Sequence, residues 1–292
     1  AYAEEYNRIL NDKMREGVSN LVRERYLTFA VGAPSVDAAV PRLARMRGDA
    51  EQTLAKMRSS SRTLSGAERI GVLNGLLRPG KPNLFSWDAV GARGGLTTKD
   101  FVCPSSLDFK PEGSASCFKS GDTWCQVLVL GRFGSELSDR CLADIIDLPV
   151  PLAITLHVQA MDKSKAVAFV KKRIAWMDKE IIDEQMSAVK KGYDYQILPP
   201  ELRFSKEEAE DLLDHLQNKN QRLYVYTGLV YTYAPTREGL DEQVMQIVST
   251  ARRNSIEADA LDYRQREGLN SILPLGHNHV EVSRMMTTAQ VA

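Results

Sequence analysis

Gln221-Arg222-Leu223-Tyr224-Val225-Tyr226-Thr227-Gly228-Leu229-Val230-Tyr231-Thr232-Tyr233-Ala234-Pro235-Thr236 decides the fold. Residues 221–234 are dense in Val and Tyr, which suit a pleated, half-buried surface, and read as a strand. Pro235 has no amide hydrogen and a fixed φ, so it breaks the strand. Thr236 supplies the hydroxyl that caps a following helix. Leu240, Val244, Ile247, Val248 and Ala251 then recur on one helical face, and 256–261 closes the unit as a second strand.

Working outward, 123–131 reads as a strand rich in Val and Leu, and 136–146 as a helix. Residues 150–161 read as a strand alternating through Leu152, Ile154, Leu156 and Val158. Strand-helix-strand twice in series is the order of the ferredoxin-like split βαβ motif. The expected fold class is therefore α+β, with the four strands in one antiparallel sheet and two helices on one face. An insertion, 162–220, separates the halves. Val167, Val170, Ile174, Met177 and Ile181 form a narrow 3-4-3-4 seam. Gly192 and Pro199-Pro200 make the turn, and Ser205 with Glu208 forms a capping box ahead of Leu212, Leu213 and Leu216. The insertion reads as an antiparallel helical hairpin whose outer face is charged through Lys171, Lys172, Arg173, Lys179, Glu180, Asp183 and Glu184.

The first part of the chain is less regular. Residues 20–32 read as a strand through Leu21, Tyr26, Leu27, Phe29 and Val31. Ser35 caps a helix that Pro41 should kink or delay. A short strand is expected at 61–64, then a helix at 65–77 opened by the Ser65–Glu68 capping box. Glycine and proline dominate 81–122, leaving room for short strands and turns. This gives two domains: 1–104, a first α/β unit with a Gly-rich linker, and 105–292, the ferredoxin-like unit carrying the hairpin at 162–220. A faint repeat at offsets of 196–201 relates Arg25-Tyr26-Leu27 and Ala33-Pro34-Ser35 to Arg222-Leu223-Tyr224 and Ala234-Pro235-Thr236.

Motifs that carry chemistry are missing. Gly113-Ser114-Ala115-Ser116-Cys117-Phe118-Lys119-Ser120 approaches a phosphate-binding loop, but Phe118 stands where the second glycine must let the backbone approach phosphate. Ile181-Ile182-Asp183-Glu184 spells the end of a Walker B strand inside a helix-periodic stretch, where it reads as a solvated face. Asp139, Asp144 and Asp147 suit a solvated helix better than paired catalytic carboxylates. Cys103, Cys117, Cys125 and Cys141 lack the close pairing of zinc ligands and read as reduced thiols. His277 and His279 have no third ligand nearby. No catalytic, nucleotide-binding or metal residue and no cofactor is expected.

Charge and length set further bounds. Lys and Arg total 38, as do Asp and Glu, so the formal net charge is zero. Nucleic-acid binders normally keep a basic excess, so strong direct binding through bulk charge is not expected. No apolar run approaches the ~20 residues of a membrane span. The start lacks both Met and the features of a signal peptide, and the end has no polar tail, so a piece of a longer chain is expected.

Several short stretches resemble a known family. They are Leu137-Ser138-Asp139-Arg140-Cys141-Leu142-Ala143-Asp144, Leu156-His157-Val158-Gln159, Glu184-Gln185, Lys190-Lys191-Gly192-Tyr193-Asp194 and Ile197-Leu198-Pro199. Leu261-Asp262-Tyr263-Arg264-Gln265-Arg266-Glu267-Gly268-Leu269, Leu273-Pro274-Leu275-Gly276 and Arg284-Met285-Met286-Thr287-Thr288 belong with them. Together, from about Tyr6 onward, they resemble the N-terminal half of TraE-like (CagE/TrbE/VirB-type) conjugal-transfer ATPases of Gram-positive type IV secretion. The resemblance implies a non-catalytic module, peripheral at the inner face of the membrane, that seats the motor on other channel subunits and self-associates in the full-length motor. It places ATP and Mg²⁺ in a later RecA-like domain of the parent chain. The alternative is a stand-alone enzyme with an unrecognised site in the loops of 81–122. The reading frame beyond Ala292 discriminates the two.

Overall fold

A computed structural model describes residues 23–92, 95–134, 140–191, 200–219 and 221–291, together with Glu5 and Arg8. The chain is α+β, with an antiparallel sheet. Its strands are β1 (Leu107–Asp108), β2 (Phe118–Ser120), β3 (Thr123–Phe133), β4 (Leu152–Ala160), β5 (Leu223–Ala234), β6 (Ile256–Ala260) and β7 (Arg284–Thr287). The sheet path is β1-β2-β3-β5-β4, with β6 on β3 and β7 on β5. Helices are α1 (Val36–Lys56), α2 (Gly66–Leu77), α3 (Trp87–Ala92), α4 (Thr98–Val102), α5 (Cys141–Ile146), α6 (Lys163–Lys190), α7 (Pro200–Asn218), α8 (Arg237–Arg253), α9 (Gln265–Ile272) and α10 (Thr288–Val291). Two compact units share them. One runs to Thr155 and resumes over Gly228–Val282; the other holds Leu156–Thr227 and the residues from Ser283 on.

The first unit is built on β3. One edge pairs antiparallel with β5, from Trp124↔Ala234 to Leu130↔Gly228. The other edge is shared by two short strands. β2 takes the start, with Phe118↔Cys125, and β6 takes the end, from Leu128↔Ala260 to Phe133↔Ile256 across a bulge at Leu130/Arg132. Between them Gln265 supplies what a strand would: its Oε1 accepts from the Val127 amide at 2.8 Å and its Nε2 donates to the Val127 carbonyl at 3.0 Å.

Both faces of β3 are covered, which explains its near-continuous apolar run. Cys125, Val127 and Val129 join Phe118, Leu229, Tyr231, Leu269 and Ile272, with Leu76 and Leu77 of α2 against them. Leu128, Leu130 and Val230 pack with Ile145 of α5 and Ile247 and Ala251 of α8. Each buried Val, Leu, Ile or Phe among them contributes about 1.5–3 kcal/mol. α8 starts where Thr236 accepts from the Gly239 amide at 3.1 Å, and it buries Leu240, Ile247 and Ala251 as the periodicity requires.

The N-terminal part departs from the sequence reading. The stretch 23–32 forms no strand, with Tyr26 and Leu27 exposed, and 61–64 is irregular. A strand needs a ladder, and no described strand pairs with either segment. From Arg23 to Cys103 the described residues hold α1–α4 and no strand, so only the helices of the expected α/β unit are there. The expected boundary near 104 falls inside the first unit, because α2 packs on the same core as β3. Pro41 does not delay α1, which opens at Val36 once the Ser35 hydroxyl accepts from Ala38. The Ser65–Glu68 capping box forms as read.

In the second unit, Leu223–Tyr226 of β5 pairs with β7, and α6 and α7 form the hairpin. No described helix is long and apolar enough to cross a membrane.

Candidate interaction surface

The hairpin begins at Asp162, whose carboxylate accepts from the amides of Ser164 at 2.9 Å and Lys165 at 3.3 Å. The Ser164 hydroxyl also donates to it, and these bonds hold the Asp162 carboxyl below the usual carboxylate range. The helix that follows has 28 residues, about 42 Å at 1.5 Å per residue. Its seam is the predicted one: Val170 and Met177 are buried, and Val167, Ile174 and Ile181 half-buried. Ala166 and Val170 meet Leu216, with Leu212 and Leu213 beside them, and Leu223 closes the cluster. Lys206 reaches Asp178 at 2.6 Å, and that bond raises its ammonium above the ordinary lysine value. Residues 166–170 lie against 216 and 178 against 206, so the helices run antiparallel. α7 opens at Pro200, a residue suited to a first helical turn, rather than at the Ser205 capping box. The Gly192 stop lies outside the described residues.

The two helices carry opposite charge. From Lys163 to Met177, α6 bears Lys163, Lys165, Lys171, Lys172 and Arg173 and no carboxylate. α7 bears Glu207, Glu208, Glu210, Asp211 and Asp214 against Arg203 and Lys206. Aromatic rings stand among these charges in solvent: Phe169 is 39% exposed, Trp176 61% and Phe204 54%.

No protein-family model matches the chain, and no curated protein matches it.

The residues singled out for chemistry are dispersed. The loop-like string begins at the end of a single turn over Pro111–Gly113, and its Phe118 enters β2, fully buried in the core. Ser120 Oγ donates to the Leu77 carbonyl at 2.5 Å, and Lys119 lies 4.5 Å from the Trp124 ring centre. Asp183 and Glu184 are exposed within α6. Asp144 and Asp147 line a shallow cleft with Arg253 and Asn254, and Asp147 pairs with Arg23 at 2.5 Å; Asp139 lies outside the described residues. His277 and His279 have ring centres 6.2 Å apart, and the described residues hold no cluster of three metal-ligating groups. All four cysteines are free. Burial pushes the Cys125 thiol up to about 12, and Tyr231, which donates to it at 3.3 Å, is also raised by burial.

One arrangement escaped the sequence. Arg237 lies 5.5 Å from the Trp124 ring centre, donates to Cys117 Sγ at 2.6 Å and to Ser114 Oγ at 3.3 Å, and binds Asp241 at 3.1 Å. It ties the start of α8 to the loop before β2. Asp241 is one helical turn away, but Trp124, Cys117 and Ser114 are more than a hundred positions from Arg237, and no local pattern marks them.

Proposed function

We propose that this chain is the non-catalytic assembly module of a TraE-like (CagE/TrbE/VirB-type) conjugal-transfer ATPase, seating the motor at the cytoplasmic side of a type IV secretion channel. The observation that carries the reading is the series of signatures running from Leu137-Ser138-Asp139-Arg140 to Arg284-Met285-Met286-Thr287-Thr288. Its core is ferredoxin-like: the strand order β6, β3, β5, β4 is what two split βαβ units give. The hairpin is the docking element toward a neighbouring subunit, and its exposed rings among charges support that role. The module hydrolyses nothing itself; ATP and Mg²⁺ belong to the RecA-like domain of the parent chain. Phe118 in the core supports this, since a strand occupies the place where a phosphate-binding loop would open a helix.

Two experiments test it. Calorimetric titration of this chain with ATP and Mg²⁺ is expected to give no heat of binding, and low-micromolar affinity would overturn the non-catalytic assignment. Replacing 162–220 by a short Gly/Ser turn in the full-length motor is expected to leave a folded protein that no longer supports DNA transfer. Transfer at the normal rate would eliminate the docking role.

A further inference from the structure

We propose that the hairpin binds a second copy of this chain, the basic face of α6 in one copy taking the acidic outer face of α7 in the next. The inference rests on the docking reading above and names its partner.

The two faces share one spacing with opposite charge. On α6, Phe169, Lys172, Arg173 and Trp176 follow intervals of three, one and three; on α7, Phe204, Glu207, Glu208 and Asp211 follow the same intervals. Such intervals put four side chains on one helical face, and all eight are exposed. Lys165 extends the first set by one turn. Neither face is the one used inside the hairpin, where Ala166 and Val170 meet Leu216. Among the described residues no ion pair involves Lys172, Arg173, Glu208 or Asp211, and Glu207 has only a 3.8 Å contact with Arg203.

Each set spans about 10 Å of helix with its paired charges in the middle. An antiparallel crossing therefore sets Trp176 on Phe204, Arg173 on Glu207 and Lys172 on Glu208 at once. A basic face with rings would also suit a single nucleic-acid strand. The complementary acidic face on the same chain, and a net charge of zero, favour a second copy. Because the two faces differ, the contact is heterologous, and it builds a ring if the rotation closes.

The test is sedimentation velocity on the whole chain over a concentration series, with two charge-reversed variants. One is Lys165→Glu/Lys172→Glu/Arg173→Glu; the other is Glu207→Lys/Glu208→Lys/Asp211→Lys. The unaltered chain should associate, less so as salt rises. Each variant alone should associate about tenfold or more weakly. Their equimolar mixture should regain association, because each then meets the opposite charge. That recovery also shows that both variants fold. The proposal is overturned if the unaltered chain stays monomeric, if either variant associates as well as it does, or if the mixture stays apart while circular dichroism shows both variants helical. A single-stranded oligonucleotide bound by a monomeric chain, and lost in the first variant, would replace the second copy by nucleic acid. Failure here leaves docking on another subunit standing, since the hairpin-replacement assay reads that separately.

Discussion

Gln265→Met removes the side chain that completes the edge of β3 while keeping its length. Gln265 is 1% exposed and makes bonds of 2.8 and 3.0 Å to the amide and carbonyl of Val127, and a third of 3.3 Å to the Leu261 carbonyl. A buried backbone group left without a partner costs about 1–3 kcal/mol. Two such groups on Val127, offset in part because Met brings no amide to desolvate, give about 3 kcal/mol. That is a large share of the ~5–15 kcal/mol that holds a domain together. Urea unfolding followed by Trp fluorescence should show a lower midpoint at unchanged slope. Gln265→Glu sharpens the test. Its carboxylate can accept from the Val127 amide but faces the Val127 and Leu261 carbonyls, so it needs a proton to donate. Its folded pKa should therefore rise above the unfolded value of about 4.3. The deficit is then full above the folded pKa and shrinks as pH falls toward the unfolded one. A loss under about 1 kcal/mol for Met, or a pH-independent deficit for Glu, would refute the edge-completing role.

Three further outcomes follow from the core. Gly268→Ala puts a Cβ 2.9 Å from Leu261 Cδ1 and 3.0 Å from Val127 Cβ; overpacking of this kind should cost about 1–3 kcal/mol in a urea melt. Thr236→Ala removes the cap of α8 and should lower stability by about 1 kcal/mol, with Thr236→Ser restoring most of it. The Cys125 thiol stays protonated in the fold to about 12 against an ordinary 9.0, so the unfolded chain loses its proton first and stability falls as pH rises through that window. Between pH 9 and 10 this thiol should contribute a fall of about 1 kcal/mol per pH unit, and Cys125→Ala should remove that share of the slope.

The second half of the chain was legible because its local signals agree. In the segment from Val225 to Ala251, alternation, a proline stop, a threonine cap and a helical stripe all point the same way, and the strands and hairpin stand within a few residues of where they were read. Residues 23–32 show the converse. Tyr26, Leu27, Phe29 and Val31 have the composition of a strand, but a strand exists only with a partner, and composition does not reveal whether one is free. The capping box at Ser205 misled for a related reason: Pro200 already provides a helix start, and the box falls inside the helix. The polarity of the hairpin was visible in the charges of α6 and α7, yet which of them face outward depends on which stripe the packing uses. Gln265 carried no signal at all, since a glutamine in a helix is ordinary until a strand edge lies beside it.

Val127 and Gln265 are 138 residues apart, and β3 meets β5 and β6 across separations of the same order. On a ribosome adding about 5–20 residues per second, the Gln265 codon follows that of Val127 by roughly 7–28 s. Until β5 follows, about a hundred residues after β3, the Val- and Leu-rich β3 has emerged without most of its ladder. What reaches it first is the short hairpin with β2, while α6 and α7 can zip together locally before β5 is made. The cell therefore sees, for some seconds, a nascent chain with a finished helical hairpin and an open apolar strand. That strand is the segment most in need of a chaperone, and slowing translation after residue 133 would lengthen its exposure.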